Sequence, residues 1–340
     1  MPSPIAASVV IVNYNGLRYL DTCLGSLFQQ DLDGGVEVVL VDNASSDGSV
    51  AYVRSRWPAV KVVESDVNLG FAGGNNLGIG EAGGRHVVLL NNDTRVRPGW
   101  LRALVECAES DQRIGAVTSK LLFMARPGVI QNAGSLLLTD GSGGDRGTGE
   151  EDRGQYDRRE EVFAACAGAA LFTRPMLEDV GILDHTFFAY YEDTDLSWRM
   201  RLRGWHVVYE PAAVVEHVHS GTSVEWSPFF IFHVDRNRLF MILKNAPPAF
   251  TARAFAHFAS LSVRSVGHTL LRRGSKAATD GKTPAVSGRS RARIHLRVVL
   301  SLLRRLPEMM WKRRQIRRHR LVDDAEIRRW FYRRELWDAR

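Results

Sequence analysis

The stretch SVVIVN at residues 8–13 is dominated by β-branched residues and ends in the polar Asn13. Such a run is typical of a strand that is buried on both faces of a parallel sheet. Residues 17–30 then carry apolar side chains at helical spacing, and residues 36–41 repeat the buried-strand pattern before Asp42. The alternation continues through residues 46–57, 60–63, 75–81 and 86–90. The first part of the chain therefore predicts an α/β fold with a mostly parallel sheet flanked by helices.

Polar residues follow four of the predicted strands at the points where those strands end. The carboxyl ends of parallel strands meet at one edge of a sheet, where α/β proteins bind ligands. Asn and Asp also cap helices and form Asx turns, so each of these residues has a structural alternative. Their recurrence at four strand ends indicates a shared binding crevice. The residues are Asn13, Asn15, Asp42, Asn43, Asn68, Asn91, Asn92 and Asp93.

The composition is that of an ordinary globular protein, because 45% of the 340 residues are hydrophobic and 24% are charged. The longest apolar run, residues 162–172, is about half of the roughly 20 residues that a membrane-spanning helix requires. Residues 1–12 lack the basic start of a signal peptide. We therefore expect a cytoplasmic protein.

Charge is distributed unevenly along the chain. Residues 251–340 contain 23 Lys and Arg against 7 Asp and Glu, whereas residues 1–250 contain 22 against 31. Two prolines, Pro247 and Pro248, follow a helical pattern near this border. We therefore predict a first unit over residues 1–245 and a basic helical extension over residues 246–340, with a flexible linker near residues 275–290.

The extension contains a helix over residues 291–308 that is both basic and apolar. A basic amphipathic helix fits an anionic membrane surface, which would hold the protein peripherally at the inner face of the cell membrane. The alternative is that its apolar side packs on the first unit. No RNA- or DNA-binding motif accompanies the charge, so we expect no nucleic-acid partner. The apolar side consists of Ile294, Val298, Val299, Leu302, Leu303 and Leu306.

Residues 126–156 show no helix or strand pattern. Glycines alternate with polar residues over 141–154, which predicts a mobile loop that orders over a bound substrate.

Five short blocks occur in a fixed order along the chain. They are VVIVNYN at 9–15, VDNASSDG at 41–48, NLGFAGGNNLG at 68–78, NNDT at 91–94 and YEDTDL at 191–196. In this order they resemble glycosyltransferase family 2, and in particular its bacterial rhamnosyltransferase-like branch, which builds cell-wall and surface polysaccharides. The resemblance covers residues 8–245. It implies a GT-A fold, a nucleotide-diphosphate sugar donor, a divalent metal (Mn or Mg) and inversion at the anomeric carbon.

The resemblance also implies which residues bind the donor. Asp42 is expected to accept hydrogen bonds from a pyrimidine ring or a ribose hydroxyl, unless it caps a helix. Gly70 and Gly74 permit close approach of the backbone to the donor. Arg236, in an Arg-Asn pair common in this branch, is suited to grip a phosphate, with a surface salt bridge as the alternative. The full predicted set is Asn13, Asn15, Asp42, Asn68, Gly70, Gly74, Asn75, Asn92 and Arg236.

The predicted metal ligands are Asp93 and His217. Asp93 closes a strand in an oxygen-rich cluster that suits magnesium or manganese. A histidine after the strand at 214–216 matches a metal ligand in many relatives, although a hydrogen-bonded structural histidine is the alternative. Asn91 departs from the Asp-x-Asp pattern of the family, so one carboxylate fewer faces the metal. We therefore expect the ion to bind mainly together with the donor diphosphate.

Asp193 is the expected general base, and Glu192 is its supporting carboxylate. Inverting transfer needs a carboxylate beside the acceptor hydroxyl, and the family uses acidic residues at this helix start. Helix N-termini also hold acids because of the helix dipole, so a capping role is the competing interpretation.

Together these residues predict an inverting glycosyltransferase that moves L-rhamnose from dTDP-rhamnose to a lipid-linked or polysaccharide acceptor. The alternative donors are UDP-galactofuranose and a UDP-N-acetylhexosamine. The alternative outside the enzymes is a non-catalytic module that binds a sugar nucleotide or a membrane, because Asn91 replaces a carboxylate.

Overall fold

The computed structural model describes residues 5–218, 226–271 and 288–333, and its centre is a large β-sheet. The first part of this sheet follows the predicted alternation of strands and helices. In chain order the elements are β1 (Ala7–Asn13), α1 (Leu17–Leu27), β2 (Val36–Asp42), α2 (Ser49–Arg56), β3 (Lys61–Glu64), α3 (Gly70–Glu81) and β4 (His86–Asn91). The four strands are parallel and lie in the order β4-β1-β2-β3.

The second part extends the sheet beyond β4. Its elements are β5 (Thr94–Val96), α4 (Trp100–Glu109), β6 (Ile114–Phe123), β7 (Ile130–Asn132), β8 (Ser135–Leu138), β9 (Gly143–Asp145), β10 (Glu160–Glu161), β11 (Ala169–Thr173), α5 (Arg174–Val180), α6 (Glu192–Leu202) and β12 (His206–His217). Strand β11 lies between β4 and β6 and is antiparallel to both, whereas β12 is parallel to β6. The sheet is therefore mainly parallel, as predicted, with β11 as an internal exception.

Strand β1 is buried on both faces, which explains its uninterrupted apolar sequence. Val9 and Ile11 belong to the same core cluster as Leu24 of α1, whereas Val10 packs with Ala72 of α3 in the cluster on the other face. Successive side chains of a strand point to opposite faces, so both layers of helices are held by this one strand.

The glycine-rich segment after residue 140 contains a strand that the sequence did not indicate. Strand β9 pairs antiparallel with β8, and β8 also pairs with β13 (Phe331–Tyr332) near the end of the chain. The expectation of an irregular loop is therefore wrong at Ile130–Asn132, Ser135–Leu138 and Gly143–Asp145. Strands of three or four residues are too short to show an alternating pattern, and the second partner of β8 lies almost two hundred residues away in the sequence.

Among the residues that the structure describes, four helices follow β12. They are α7 (Pro228–Asn245), α8 (Pro248–Leu271), α9 (Gly288–His319) and α10 (Asp324–Arg328). Helix α7 ends and α8 begins where the two prolines predicted a border. The predicted linker near residues 275–290 lies almost wholly outside the described residues. Within the part of the chain that the structure describes, none of the helices combines the length and apolar character that crossing a membrane requires.

The extension is joined to the first unit by an apolar interface. On α9, Ile294, Val298 and Leu302 are buried in one cluster with Phe240 and Ile242 of α7. The expectation that these three residues face a membrane is therefore wrong, because α7 offers them an apolar partner within the molecule. The other members of the predicted apolar side, Val299, Leu303 and Leu306, are exposed.

Candidate active site

A cleft of about 880 Å³ opens beyond the carboxyl ends of the parallel strands. One wall carries the residues that follow β4, and another carries residues 188–194, which include the start of α6. The first turn of α7 adds Phe229 and Phe230. This position is the one expected for a ligand site in an α/β sheet. The predicted site residues that line the cleft are Asn68, Gly70, Asn92, Asp93, Glu192, Asp193 and His217.

Asn13, Asn15 and Asp42 hold the ends of β1 and β2 together. The Asn13 amide donates to Asp42 Oδ1 at 3.4 Å and to Ser45 Oγ at 3.2 Å. Asp42 Oδ2 accepts from the main-chain N–H of Ser45 at 2.9 Å, and Asn15 Oδ1 accepts from that of Ser46 at 2.8 Å. Asn13 and Asp42 are buried. These bonds fix the loop after β2, and direct contact of the three residues with a donor stays a prediction.

Asn68 and Asn92 line the cleft and are oriented by neighbouring polar groups. Asn92 Nδ2 donates to Asn13 Oδ1 at 2.8 Å. Asn68 Oδ1 accepts from the N–H of Gly70 at 2.8 Å and from Asn43 Nδ2 at 3.0 Å. Asn43 was not in the predicted donor set, although its place directly after β2 was the signal that could have included it.

Helix α3 uses two members of the predicted donor set for packing. A Cβ on Gly74 would lie 2.8 Å from Val12 Cγ1, so the glycine lets the helix approach β1 closely. Asn75 is buried and donates to the carbonyl of Phe71, one turn earlier in the helix, at 2.9 Å. Neither residue is among those that line the cleft. The structure therefore gives both a packing role, and their contact with a donor stays a prediction.

Asp93 and His217 come together because β5 pairs with the end of β12. Asp93 Oδ1 lies 3.0 Å from His217 Nε2, and Asn91 Nδ2 lies 3.2 Å from the same nitrogen. On the other side of the ring, Nδ1 lies 3.0 Å from Gln131 Oε1. An amide oxygen only accepts, so Gln131 is a partner for a protonated Nδ1. Nε2 faces Asn91 and Asp93.

An oxygen ligand and an imidazole nitrogen are a suitable pair for Mn²⁺ or Mg²⁺. Within the described residues, no group of three or more His, Cys, Asp and Glu side chains forms a complete metal site. Asp93 and His217 are therefore suited to hold an ion whose other ligands are water and substrate phosphates. Gln131, which orients the ring, was missed because the short strand β7 has no sequence signature.

Glu192 and Asp193 begin α6 and line the cleft. Asp193 Oδ1 accepts from the N–H of Thr194 at 2.6 Å, and its Oδ2 accepts from that of Ala167 at 3.2 Å. Burial raises the pKa of Asp193 above its usual value despite these bonds. Burial, together with the charge of Asp193, raises the pKa of Glu192 well above its usual value. Glu192 Oε2 is buried and has no hydrogen-bond partner among the described residues.

Arg236 and Asn237 of α7 hold the loop in front of α6. Arg236 Nη2 donates to the carbonyl of Phe187 at 2.7 Å, and Arg236 is not among the residues that line the cleft. The structure thus places its guanidinium on the protein backbone, and its contact with a phosphate stays a prediction. The loop needs such support because Tyr190 and Tyr191 have φ values of 71° and 69°. Asn237 Nδ2 lies within hydrogen-bond distance of the carbonyl oxygens of Phe187, Ala189 and Tyr190.

Comparison with solved structures shows that this sheet and its cleft form a GT-A fold, the architecture of one large class of glycosyltransferases. The structure of GalNAc-T7 with UDP, GalNAc and Mn²⁺ gives a TM-score of 0.60 at 15% identity, covering 87% of this chain and 54% of that one. The mannosyltransferase PcManGT from Pyrobaculum calidifontis, in complex with GDP-Man and Mn²⁺, gives a TM-score of 0.51 at 17% identity over 89% of each chain.

Within that class the chain belongs to glycosyl transferase family 2, whose model matches residues 8–181. N-acetylglucosaminyl-diphospho-decaprenol L-rhamnosyltransferase of Mycobacterium tuberculosis is 27% identical over 312 residues, which cover 83% of this chain and 98% of that protein. A poly-β-1,6-N-acetyl-D-glucosamine synthase of Staphylococcus epidermidis is 24% identical over 209 residues, covering 61% and 48%. The protein is therefore a glycosyltransferase, and the predicted family and enzyme class are confirmed.

Proposed function

We propose that the protein transfers a sugar, with inversion, from a nucleotide-diphosphate donor to an acceptor hydroxyl in glycan synthesis. The observation that carries this proposal is the presence of Asp193 and of the Asp93–His217 pair in one cleft of the family-2 fold. Direct displacement needs a base for the acceptor and a site for the leaving group. The cleft offers candidates for the two on separate elements, α6 and the β5–β12 pair.

Asp193 acts as the general base in this proposal. The N–H groups of Ala167 and Thr194 fix its carboxylate, and its raised pKa makes it a better proton acceptor than an exposed aspartate. Glu192 borders the same space and supports the site.

Asp93 and His217 hold the divalent cation, Mn or Mg. When bound there, the ion neutralises the negative charge that develops on the departing diphosphate. Gln131 would orient the ring of His217 through Nδ1, and Asn91 offers a neutral amide at the position where the family pattern has a carboxylate. The Mn²⁺ in the two neighbouring structures supports this assignment.

The proposed donor is dTDP-rhamnose, with UDP-galactofuranose or a UDP-N-acetylhexosamine as the alternative. The similarity to the mycobacterial rhamnosyltransferase supports rhamnose and a lipid-linked acceptor. A lipid-linked acceptor would place the reaction at the inner face of the cell membrane, with residues 1–245 as the catalytic unit and residues 246–340 as its extension.

The substitution Asp193→Asn tests the proposal, because it keeps the shape of the side chain and removes the basic oxygen. We expect turnover to fall by roughly 10²–10⁴-fold, the usual effect of losing a general base, while donor affinity changes little. Nucleotide release is measured with each of the three donor types in the presence of Mn²⁺, and donor binding is measured by calorimetry. Turnover within a few fold of the unchanged protein would overturn the role of Asp193. A failure of all donors to release nucleotide would favour a non-catalytic module.

A further inference from the structure

Helix α9 exposes a stripe of large apolar side chains on the side that faces away from α7. The stripe recurs at helical spacing, opposite to the buried Ile294 and Val298. Its exposed fractions run from 41% at Leu306 to 63% at Leu303. Monomeric proteins rarely leave a continuous patch of this kind to water. We call it the outward stripe, and it consists of Leu296, Leu300, Leu303, Leu306, Met310 and Trp311.

Exposed arginines border the outward stripe. Arg293 and Arg304 lie along one edge by helical spacing, and Arg314 and Arg318 continue the face beyond Trp311. Within the described residues, no carboxylate forms an ion pair with any of these four guanidinium groups. Glu308, the acidic residue of the helix, is engaged elsewhere with Lys312 and Arg305 at 2.7 Å each. The face is therefore apolar at its centre and uniformly cationic at its border.

The residues of α9 at which the outward stripe begins lie beside the second turn of α7. Two contacts show the relative direction of α7 and α9. Near the start of α7, the Arg297 guanidinium lies 4.7 Å from the ring centroid of Phe232. Near the end of α7, Arg313 donates a hydrogen bond to the carbonyl of Leu243 at 2.7 Å. The two helices are thus roughly parallel, and the third turn of α9 lies beside the second turn of α7. The first turn of α7 carries Phe229, which lines the cleft and is 44% exposed.

We propose that the outward stripe and its arginine border lie on an anionic lipid bilayer and present the opening of the cleft to it. The apolar side chains enter the boundary between headgroups and acyl chains, and the arginines pair with lipid phosphates. A second copy of the same face is a poorer occupant, because a two-fold contact would bring arginine borders together. The inference rests on the proposed function, since a lipid-linked acceptor has to reach the cleft from the bilayer.

Co-sedimentation of the full chain with phosphatidylcholine vesicles, with and without phosphatidylglycerol, tests this surface. The double variant Leu300→Glu/Leu303→Glu should lower partitioning onto the anionic vesicles by more than about tenfold. Arg304→Gln/Arg314→Gln should lower it by about fivefold per arginine and weaken its salt dependence. The control Val67→Glu, at a 60% exposed position before α3, should bind as the unchanged chain does. Circular dichroism verifies that each variant is folded.

Equal vesicle binding by all variants, or binding that salt does not affect, would overturn the proposal. A dimer in solution that Leu300→Glu/Leu303→Glu dissociates would assign the face to a second copy instead. Nucleotide release without vesicles separates this test from that of the proposed function, because the stripe variants should retain it. If no protein releases nucleotide while vesicle binding follows the expected order, the result supports the membrane surface and contradicts the proposed reaction.

Discussion

At the scale of single residues, Glu192 is the side chain whose surroundings least favour its charge. It is 5% exposed, one of its carboxylate oxygens has no partner among the described residues, and Asp193 stands next to it. Leaving a buried polar group unpaired costs about 1–3 kcal/mol. A fold has no structural reason to retain such a group, which supports a role for Glu192 towards a ligand.

This reasoning predicts how Glu192→Gln changes stability with pH. Because the pKa of Glu192 is raised in the folded protein, its contribution to stability is fully present below the ordinary glutamate pKa and is lost as pH rises through the folded value. Glutamine does not titrate, so the free energy of unfolding of the variant should rise relative to that of the unchanged protein as pH rises. The difference should reach about 1–3 kcal/mol at the alkaline end. Urea unfolding across pH measures the difference. The exposed Glu178→Gln serves as the control, and a difference that stays flat with pH for Glu192→Gln would contradict the argument.

Gln131 is predicted to act through His217. Gln131→Leu removes the acceptor for Nδ1, so the ring no longer has a fixed tautomer and orientation. Loss of such a partner typically weakens metal binding by about 10–100-fold. The Mn²⁺ concentration that gives half-maximal activity should therefore rise by that factor, with similar turnover at saturating metal. Gln155→Leu, at an exposed glutamine, is the control. An unchanged metal requirement would mean that the histidine is not a ligand.

Sequence patterns located the cleft residues that follow predicted strands, such as Asn68 and Asp93. They could not tell residues that line the cleft from those one layer behind it. Gly74 and Asn75 stand in the same block as Gly70, yet only Gly70 lines the cleft. The distinction depends on how α3 rotates against β1, which is decided by side-chain packing between distant segments.

At the scale of elements, a buried chain of charges connects α6 to α9. Asp195 of α6 accepts from Lys244 Nζ of α7 at 2.8 Å, and the same ammonium group lies 2.6 Å from Asp184 Oδ2. Lys312 of α9 reaches Asp184 Oδ1 at 2.8 Å. Burial alone would raise the pKa of Asp184, but the two lysines outweigh it and hold the pKa well below its usual range. Helix α6, which begins with Glu192, is thus connected to the extension through buried ion pairs.

Lys312→Ala should therefore destabilise the protein by about 2–3 kcal/mol at neutral pH, somewhat less than for a fully buried pair. A lowered folded pKa contributes stability above the ordinary aspartate pKa and loses it as pH falls. The gap between variant and unchanged protein should accordingly close in acid. Chemical unfolding at several pH values measures it. Lys61→Ala breaks the exposed pair with Glu81 and should cost much less, because solvent screens an exposed ion pair. Equal effects of the two substitutions would contradict a stabilising role of these ion pairs.

Most strands and helices of residues 7–91 could be predicted because they bury an apolar pattern of their own period. Helix α9 was predicted as a helix, but not its orientation, because apolar residues occur on both of its sides. Which side of α9 is buried depends on α7, because Phe240 and Ile242 of that helix require apolar contacts. Strands β9 and β13 could not be predicted, since their pairing partners are distant in sequence or too short to form a pattern.

At the scale of the whole molecule, the extension completes the core of the first unit. The N–H groups of Leu321 and Val322 bond the carbonyl of Leu202 at the end of α6, at 2.8 and 3.1 Å. Strand β13 adds to β8, and Ile327 of α10 is buried in the cluster shared with α7. A border at residue 245 therefore divides the sequence by charge, while the apolar packing continues across it.

A chain that ends after Leu271 should consequently fail to fold stably, in contrast to the behaviour of a detachable membrane anchor. The truncation would expose Phe240 and Ile242 and remove Ile294, Val298 and Leu302 from the core. Burial of each such apolar side chain contributes about 1.5–3 kcal/mol to stability. That sum is comparable with the whole stability of a typical domain, about 5–15 kcal/mol. We expect aggregation or a strongly lowered melting temperature with or without lipid, and loss of donor binding as a consequence. Leu300→Glu/Leu303→Glu is the matched control, because it alters the outward stripe and leaves the packed side of α9 intact. A truncated chain that stays monomeric, melts within a few degrees of the full chain and binds donor would show that the extension is an appendage after all.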